Sequence, residues 1–194
     1  MLNCSIRRRH LRERRGGNIK LQNVKPTKYD NLYTQQEAIK FLCDNIDLSK
    51  IKTVWECASG TNNISDYLNK LGINVISTDI EHGVDFLGSD YDCDIIITNP
   101  PYSLKNVFLK RAFELGKPFA MLLPLTTLES AVRNDLFRDK NIQVLIPNKR
   151  FDFTGKKNCW FATAWFCWKM KFPKQLNFRK VNDAELVSGE EVKG

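Results

Sequence analysis

The sequence predicts an α/β domain: a mostly parallel sheet with a C-terminal antiparallel hairpin and helices on both faces. Three observations carry that expectation. Short β-branched or apolar runs alternate with segments of helical periodicity from residue 34 to residue 139. The runs at 142–146 and 160–168 then follow with no helix between them, so they should pair as an antiparallel hairpin. The run ending at Thr98 leads directly into Asn99-Pro100-Pro101-Tyr102. That is a rigid turn at the C-terminal end of a buried strand, the edge of an open α/β sheet where ligands bind.

The elements follow in order. Residues 18–33 read as an irregular lead-in, with Pro26 opposing regular structure. Thr34 and Glu37 have capping-box spacing, and Ala38, Ile39, Phe41, Leu42 and Ile46 follow at helical intervals. Residues 52–57 form a first buried strand that runs into Ala58-Ser59-Gly60. Ile64, Tyr67, Leu68 and Leu71 mark an amphipathic helix, stopped by Gly72 in the C′ role. Residues 73–78 and 93–98 are the second and third strands. Leu104, Val107, Phe108, Ala112 and Leu115 give a further helix ended by Gly116, and 119–123 a strand ended by Pro124. Residues 126–139 read as one helix burying Leu128, Ala131, Val132 and Leu136. The strands at 142–146 and 160–168 complete the pattern, with a short strand possible around 150–153.

A chain of 194 residues supports one domain of ordinary size. No apolar run approaches the roughly 20 residues that span a bilayer, and no apolar stretch follows the N-terminal charges. The expectation is a cytoplasmic protein with no membrane partner. The six cysteines are Cys4, Cys43, Cys57, Cys93, Cys159 and Cys167, with no C-x-x-C pair. With only His10 and His82 besides, neither a disulfide framework nor a metal site is expected.

The net charge of +8 points toward nucleic acid, yet six arginines and one glutamate in residues 1–17 carry most of it. That stretch could add phosphate contacts or be a merely solvated segment. The organisation expected is a basic arm over 1–24, a single domain over 25–175 and a polar tail over 176–194. Lys105, Lys110 and Arg111 read as a solvated helix face, and Trp160, Phe161, Trp165, Phe166 and Trp168 as core residues.

Asn99-Pro100-Pro101-Tyr102 after a β-branched strand resembles the catalytic loop of the S-adenosylmethionine (SAM) dependent amino-methyltransferases. The likeness is greatest to small phage and bacterial N6-adenine DNA methyltransferases. It implies the Rossmann-like class I SAM-methyltransferase fold, SAM as cofactor, DNA as partner, and a bacterial or phage-infected cell. In that resemblance Asn99 and Pro100 accept the two hydrogens of the target amino group, and Tyr102 stacks on the base beside Pro101. The loop Glu56-Cys57-Ala58-Ser59-Gly60 is similar to the family's SAM loop. Gly60 lets backbone approach the methionine moiety, and Glu56 offers an acceptor to its ammonium. Asn62 stands where the family has a second glycine, and asparagine tolerates positive φ better than other side chains.

Asp79, 19 residues after Gly60, matches the ribose-hydroxyl acceptor of Rossmann-like sites, with Ile80 flanking the adenine. Asp85 and Phe86 resemble the third cofactor motif, and Thr34 the N-terminal one. Arg150, Phe151 and Phe153 are similar to a late aromatic motif that walls the base, with Lys149, Lys156 and Lys157 nearby. An RNA adenine and a protein glutamine amide remain alternatives, because the same two acceptors suit any planar amino group; a non-catalytic SAM- or nucleic-acid-binding role is a further one, favoured only by Asn62. Cytosine-C5 chemistry is not expected, since no Pro-Cys dipeptide occurs.

Overall fold

The computed structural model describes residues 34–153 and 161–182. The strands are β1 (Thr53–Glu56), β2 (Asn74–Ser77), β3 (Ile95–Thr98), β4 (Phe119–Pro124), β5 (Gln143–Pro147), β6 (Thr163–Trp168) and β7 (Leu176–Arg179). The α-helices are α1 (Gln36–Cys43), α2 (Asn63–Lys70), α3 (Lys105–Leu115) and α4 (Ala131–Phe137). Among the described residues, these strands form one seven-stranded sheet in the order β2-β1-β3-β4-β6-β5-β7. β6 is antiparallel to both β4 and β5, and every other pairing is parallel. The expected parallel sheet and antiparallel hairpin are therefore both present.

Strand alternation sorts the core into two layers. Val54, Ile95, Ile97, Leu122, Leu145 and Trp165 face α1 and α2, which contribute Ile39, Phe41, Leu42, Ile64 and Leu68. Trp55, Ile96, Met121, Val144 and Phe166 face the other way, onto Phe108, Leu109 and Ala112 of α3. Each such side chain contributes about 1.5–3 kcal/mol on full burial. Two buried tryptophans keep their N–H groups satisfied: Trp55 donates to Thr78 Oγ1 (2.8 Å) and Trp165 to the Ala38 carbonyl (2.9 Å).

Several expectations change. The residue ahead of α1 is Gln35, whose side chain makes no capping bond, while Thr34 is buried; the capping box does not form. The single helix expected over 126–139 is a 3-10 turn (Leu125–Leu128) followed by α4, and Leu128 and Val132 are exposed. Residues 150–153 have no strand structure. The sheet also continues past residue 175, because β7 pairs with β5 from Val144↔Leu176 to Pro147↔Arg179. The segment read as a polar tail thus begins with an edge strand, anchored by buried Val181. The arginine-rich arm, Lys156, Lys157 and Trp160 lie outside the described residues.

Candidate functional site

The chain runs from β1 outward to β2 and then returns to the other side of β1 as β3. That reversal makes a switch point, where neighbouring loops diverge and leave a crevice at the C-terminal strand ends. Three stretches meet there: 57–62 after β1, 78–82 after β2 and 99–104 after β3.

The first two are joined through Asp79. Its Oδ2 accepts the Gly60 N–H (2.9 Å) and its Oδ1 the Glu81 N–H (2.9 Å). A carboxylate has about four acceptor positions, so capacity remains for a ligand hydroxyl. The Ser59 N–H donates to the Thr78 carbonyl (3.1 Å), which extends the β1–β2 ladder into the loop. Gly60 has φ +48°, and a Cβ built on it would meet nothing within 4 Å. Asn62 also occupies the left-handed region, at φ +61°. Ala58 and Ile80 are half-buried beside these groups. Asn63 Nδ2 donates to the Thr34 carbonyl (2.9 Å), which brings the chain ahead of α1 against this loop.

Glu56 lies beneath the loop rather than in it. The N-cap position of α2 is Asn62, whose side chain makes no capping bond. Glu56 Oε2 satisfies the first turn instead, accepting from the Ser65 N–H (2.8 Å) and from the Ser65 hydroxyl. A polar chain continues through Ser77 Oγ, 2.9 Å from Ser65 Oγ, which donates to Asn62 Oδ1 (2.9 Å). The carboxyl is 2% exposed. Burial pushes its pKa up to about 8, against the lowering effect of the Ser65 bonds. The acceptor expected to face a ligand ammonium is therefore a buried group holding a helix start.

In the third stretch, Asn99 and Pro101 are half-buried, and Pro100 and Tyr102 buried. The Pro101 carbonyl accepts the Leu104 N–H (2.9 Å), and the Tyr102 carbonyl accepts from Lys105 Nζ (2.9 Å). Tyr102 meets Phe161 edge-on (centroids 5.9 Å apart, 87°), and Phe161 stacks on Phe153 (6.0 Å, 7°). An aromatic row thus links the turn after β3 with the residues leading into β6.

Four expected site residues, Phe86, Tyr102, Phe151 and Phe153, are buried within the cores, Phe86 and Phe151 most completely. Phe86 is 1% exposed, stacked on Phe108 (4.9 Å) and edge-on to Trp55 (5.2 Å). Phe151 is equally buried and packs against Phe41 (5.8 Å). Neither ring has a face to offer a ligand. Asp85 accepts the Leu87 N–H (2.9 Å) and shapes the turn after β2, while Arg150 is exposed on the stretch after β5.

The structure adds three residues to this edge. Ser65 holds Glu56, and no spacing in the sequence marks it. Phe161 belongs to the aromatic run read as core, so its position at the mouth of β6 is hidden by its neighbours in the sequence. Arg133, 8% exposed, donates to the Thr126, Thr127 and Glu129 carbonyls and to Asn106 Oδ1 (3.0 Å). It fastens the loop after β4 to Asn106 in the first turn of α3.

No protein-family model matches this chain, and no curated sequence matches it significantly. Solved structures do resemble it. A candidate RNA methyltransferase from Pyrococcus horikoshii aligns at TM-score 0.50 and 18% identity, over 79% of this chain and 94% of that one. A candidate class I S-adenosylmethionine-dependent methyltransferase from Listeria monocytogenes aligns at TM-score 0.52 and 13% identity, over 84% and 69%. At these identities the likeness is one of fold: the sheet and its helices have the Rossmann-like class I methyltransferase architecture.

Proposed function

We propose that the protein is a SAM-dependent methyltransferase acting on the exocyclic N6 of adenine in DNA. The observation that carries the reading is the position of Asn99-Pro100-Pro101-Tyr102 at the end of β3, across the switch point from the Gly60–Asp79 loop pair. In class I methyltransferase architecture that crevice is where a nucleoside cofactor fits. The residues suit one: Gly60 leaves open space where a side chain would stand, and Asp79 retains acceptor positions for ribose hydroxyls. In this reading Thr34, Ala58, Ile80 and Asp85 are the further cofactor contacts.

Bound SAM supplies a methyl group already activated on a sulfonium. What remains for the protein is alignment and charge stabilisation. The amino lone pair of adenine is delocalised into its ring, so the nitrogen gains positive charge as it attacks. In this reading Asn99 Oδ1 and the Pro100 carbonyl accept the two N6 hydrogens and favour that charge. The carbonyls of Pro101 and Tyr102 each already accept one bond, from Leu104 and Lys105. Two consecutive prolines fix the turn before the substrate arrives. In this reading Tyr102 stacks on the base, while Phe161 meets Tyr102 edge-on and stacks on Phe153.

Asn99→Ala should lower the methylation rate by about 10²-fold or more, while calorimetric SAM binding persists. Full activity in that variant would overturn the assignment. The direct assay incubates the protein with SAM and separate DNA and RNA pools, then identifies methylated nucleosides by mass spectrometry. An RNA adenine is the second reading, favoured by the resemblance to the candidate RNA methyltransferase; methyl in RNA alone would select it.

A further inference from the structure

The edge strand β7 brings cations to the same sheet edge as the candidate site. β7 is parallel to β5, and β5 shares its direction with β4, β3 and β1. The C-terminal end of β7 therefore lies on the edge that carries Asn99–Tyr102. Arg179 and Lys180 stand at that end, both exposed, and Lys149 and Arg150 stand on the adjacent stretch after β5.

The two stretches are fastened together. The Asn148 N–H donates to the Arg179 carbonyl (3.1 Å), and Asn148 Oδ1 accepts the Val181 N–H (2.9 Å). With Val181 buried, the backbone of Arg179 and Lys180 is held on both sides. Strand alternation sends those two side chains to opposite faces, so they flank the strand end. Glu37 pairs with Lys149 (2.6 Å); the acids nearest these cations in sequence are Asp152 and, past the described residues, Asp183 and Glu185. Among the described residues, Arg179 and Lys180 have no ion-pair partner, and residues 176–182 include no acid.

We propose that Arg179 and Lys180, with Lys149 and Arg150 beside them, form a secondary contact for the phosphodiester backbone of the nucleic acid carrying the target base. The inference rests on the nucleic-acid reading above and extends it to a second surface. The distance fits. Four strand spacings separate β3 from β7, about 19 Å at 4.7–4.9 Å each. At 3.4 Å per base pair along one strand, the contact falls roughly five or six base pairs from the extruded base. Such contacts set register and add affinity without reading sequence.

The test pairs Arg179→Gln with Lys180→Gln in the full chain. Binding to a 20-base-pair adenine-containing duplex, and to RNA of the same sequence, is followed by fluorescence anisotropy across a salt series. Loss of two phosphate contacts should reduce the slope of log K against log salt by about 1.8 for duplex DNA, and by somewhat less for single strands. Affinity at 0.1 M salt should fall about tenfold or more, with SAM binding unchanged. Lys171→Gln with Lys174→Gln, at the opposite end of β7, is the control and should leave the slope intact. Unchanged slope and affinity in the Arg179/Lys180 pair, or an equal drop in the control pair, would overturn the inference. Wild-type protein that binds with the expected slope change in the variant, yet transfers no methyl group, would sink the proposed activity and leave this contact standing.

Discussion

Replacing Glu56 by Gln tests the polar chain under the candidate cofactor loop. The wild-type carboxyl is 2% exposed and its pKa is raised from 4.5 to about 8, chiefly by burial. Between those two values the folded chain binds a proton that the unfolded chain has released. Stability therefore falls as pH rises through that window. Each pH unit corresponds to about 1.4 kcal/mol, so the ionised carboxyl costs several kcal/mol at alkaline pH. Glutamine keeps an oxygen for the Ser65 N–H and cannot ionise. The assay is urea unfolding of both proteins from pH 5 to pH 9.5. The two should be close in stability at pH 5, with the variant the more stable by several kcal/mol above pH 8. Parallel stability curves over the whole range would refute the argument that this carboxyl is buried and protonated.

The remaining predictions concern geometry. Gly60→Ala should cost about 1–2 kcal/mol of stability, because φ +48° is a left-handed conformation. The added methyl enters the open space in front of the loop, so calorimetry should show SAM affinity falling by more than the stability loss alone explains. Arg133→Met leaves the Thr126, Thr127 and Glu129 carbonyls without their donor. It should destabilise by about 3 kcal/mol in thermal unfolding, and a variant as stable as wild type would mean that water replaces those bonds freely.

The alternation of strand and helix through β4 was legible because each run has a single period and a clear stop, such as Gly72 or Gly116 in the left-handed region. The turn at Asn99 was legible for the same reason: prolines and a polar residue end a β-branched strand sharply. What escaped depends on distant parts of the chain. Leu-Asn-Phe-Arg at 176–179 is short and largely exposed, and it becomes a strand only because β5 offers it an edge. Phe86 and Phe151 occur at the spacing of site residues, yet spacing does not say which side of the backbone faces the core. Glu56 turns inward because Ser65 supplies two donors nine residues later, a pairing set by how α2 packs. The break between the 3-10 turn and α4 follows from Arg133 binding three carbonyls, a tertiary contact that competes with continuous helix.

The placement of β6 between β4 and β5 has a bearing on how the chain assembles. During synthesis β5 emerges before the strand that must separate it from β4, so the two cannot lie side by side in their final spacing. Residues 163–168 must therefore be in place before β4 and β5 are joined, since they bond to both. Until they are, β4 presents an open edge next to the candidate site, and Phe161 is not yet opposite Tyr102. The half of the sheet from β2 to β4 can form early from neighbouring segments, whereas the aromatic row at the site waits for the late, long-range closure. A nascent chain stopped near residue 160 would therefore hold its loop after β1 in place and still lack the far wall of its crevice.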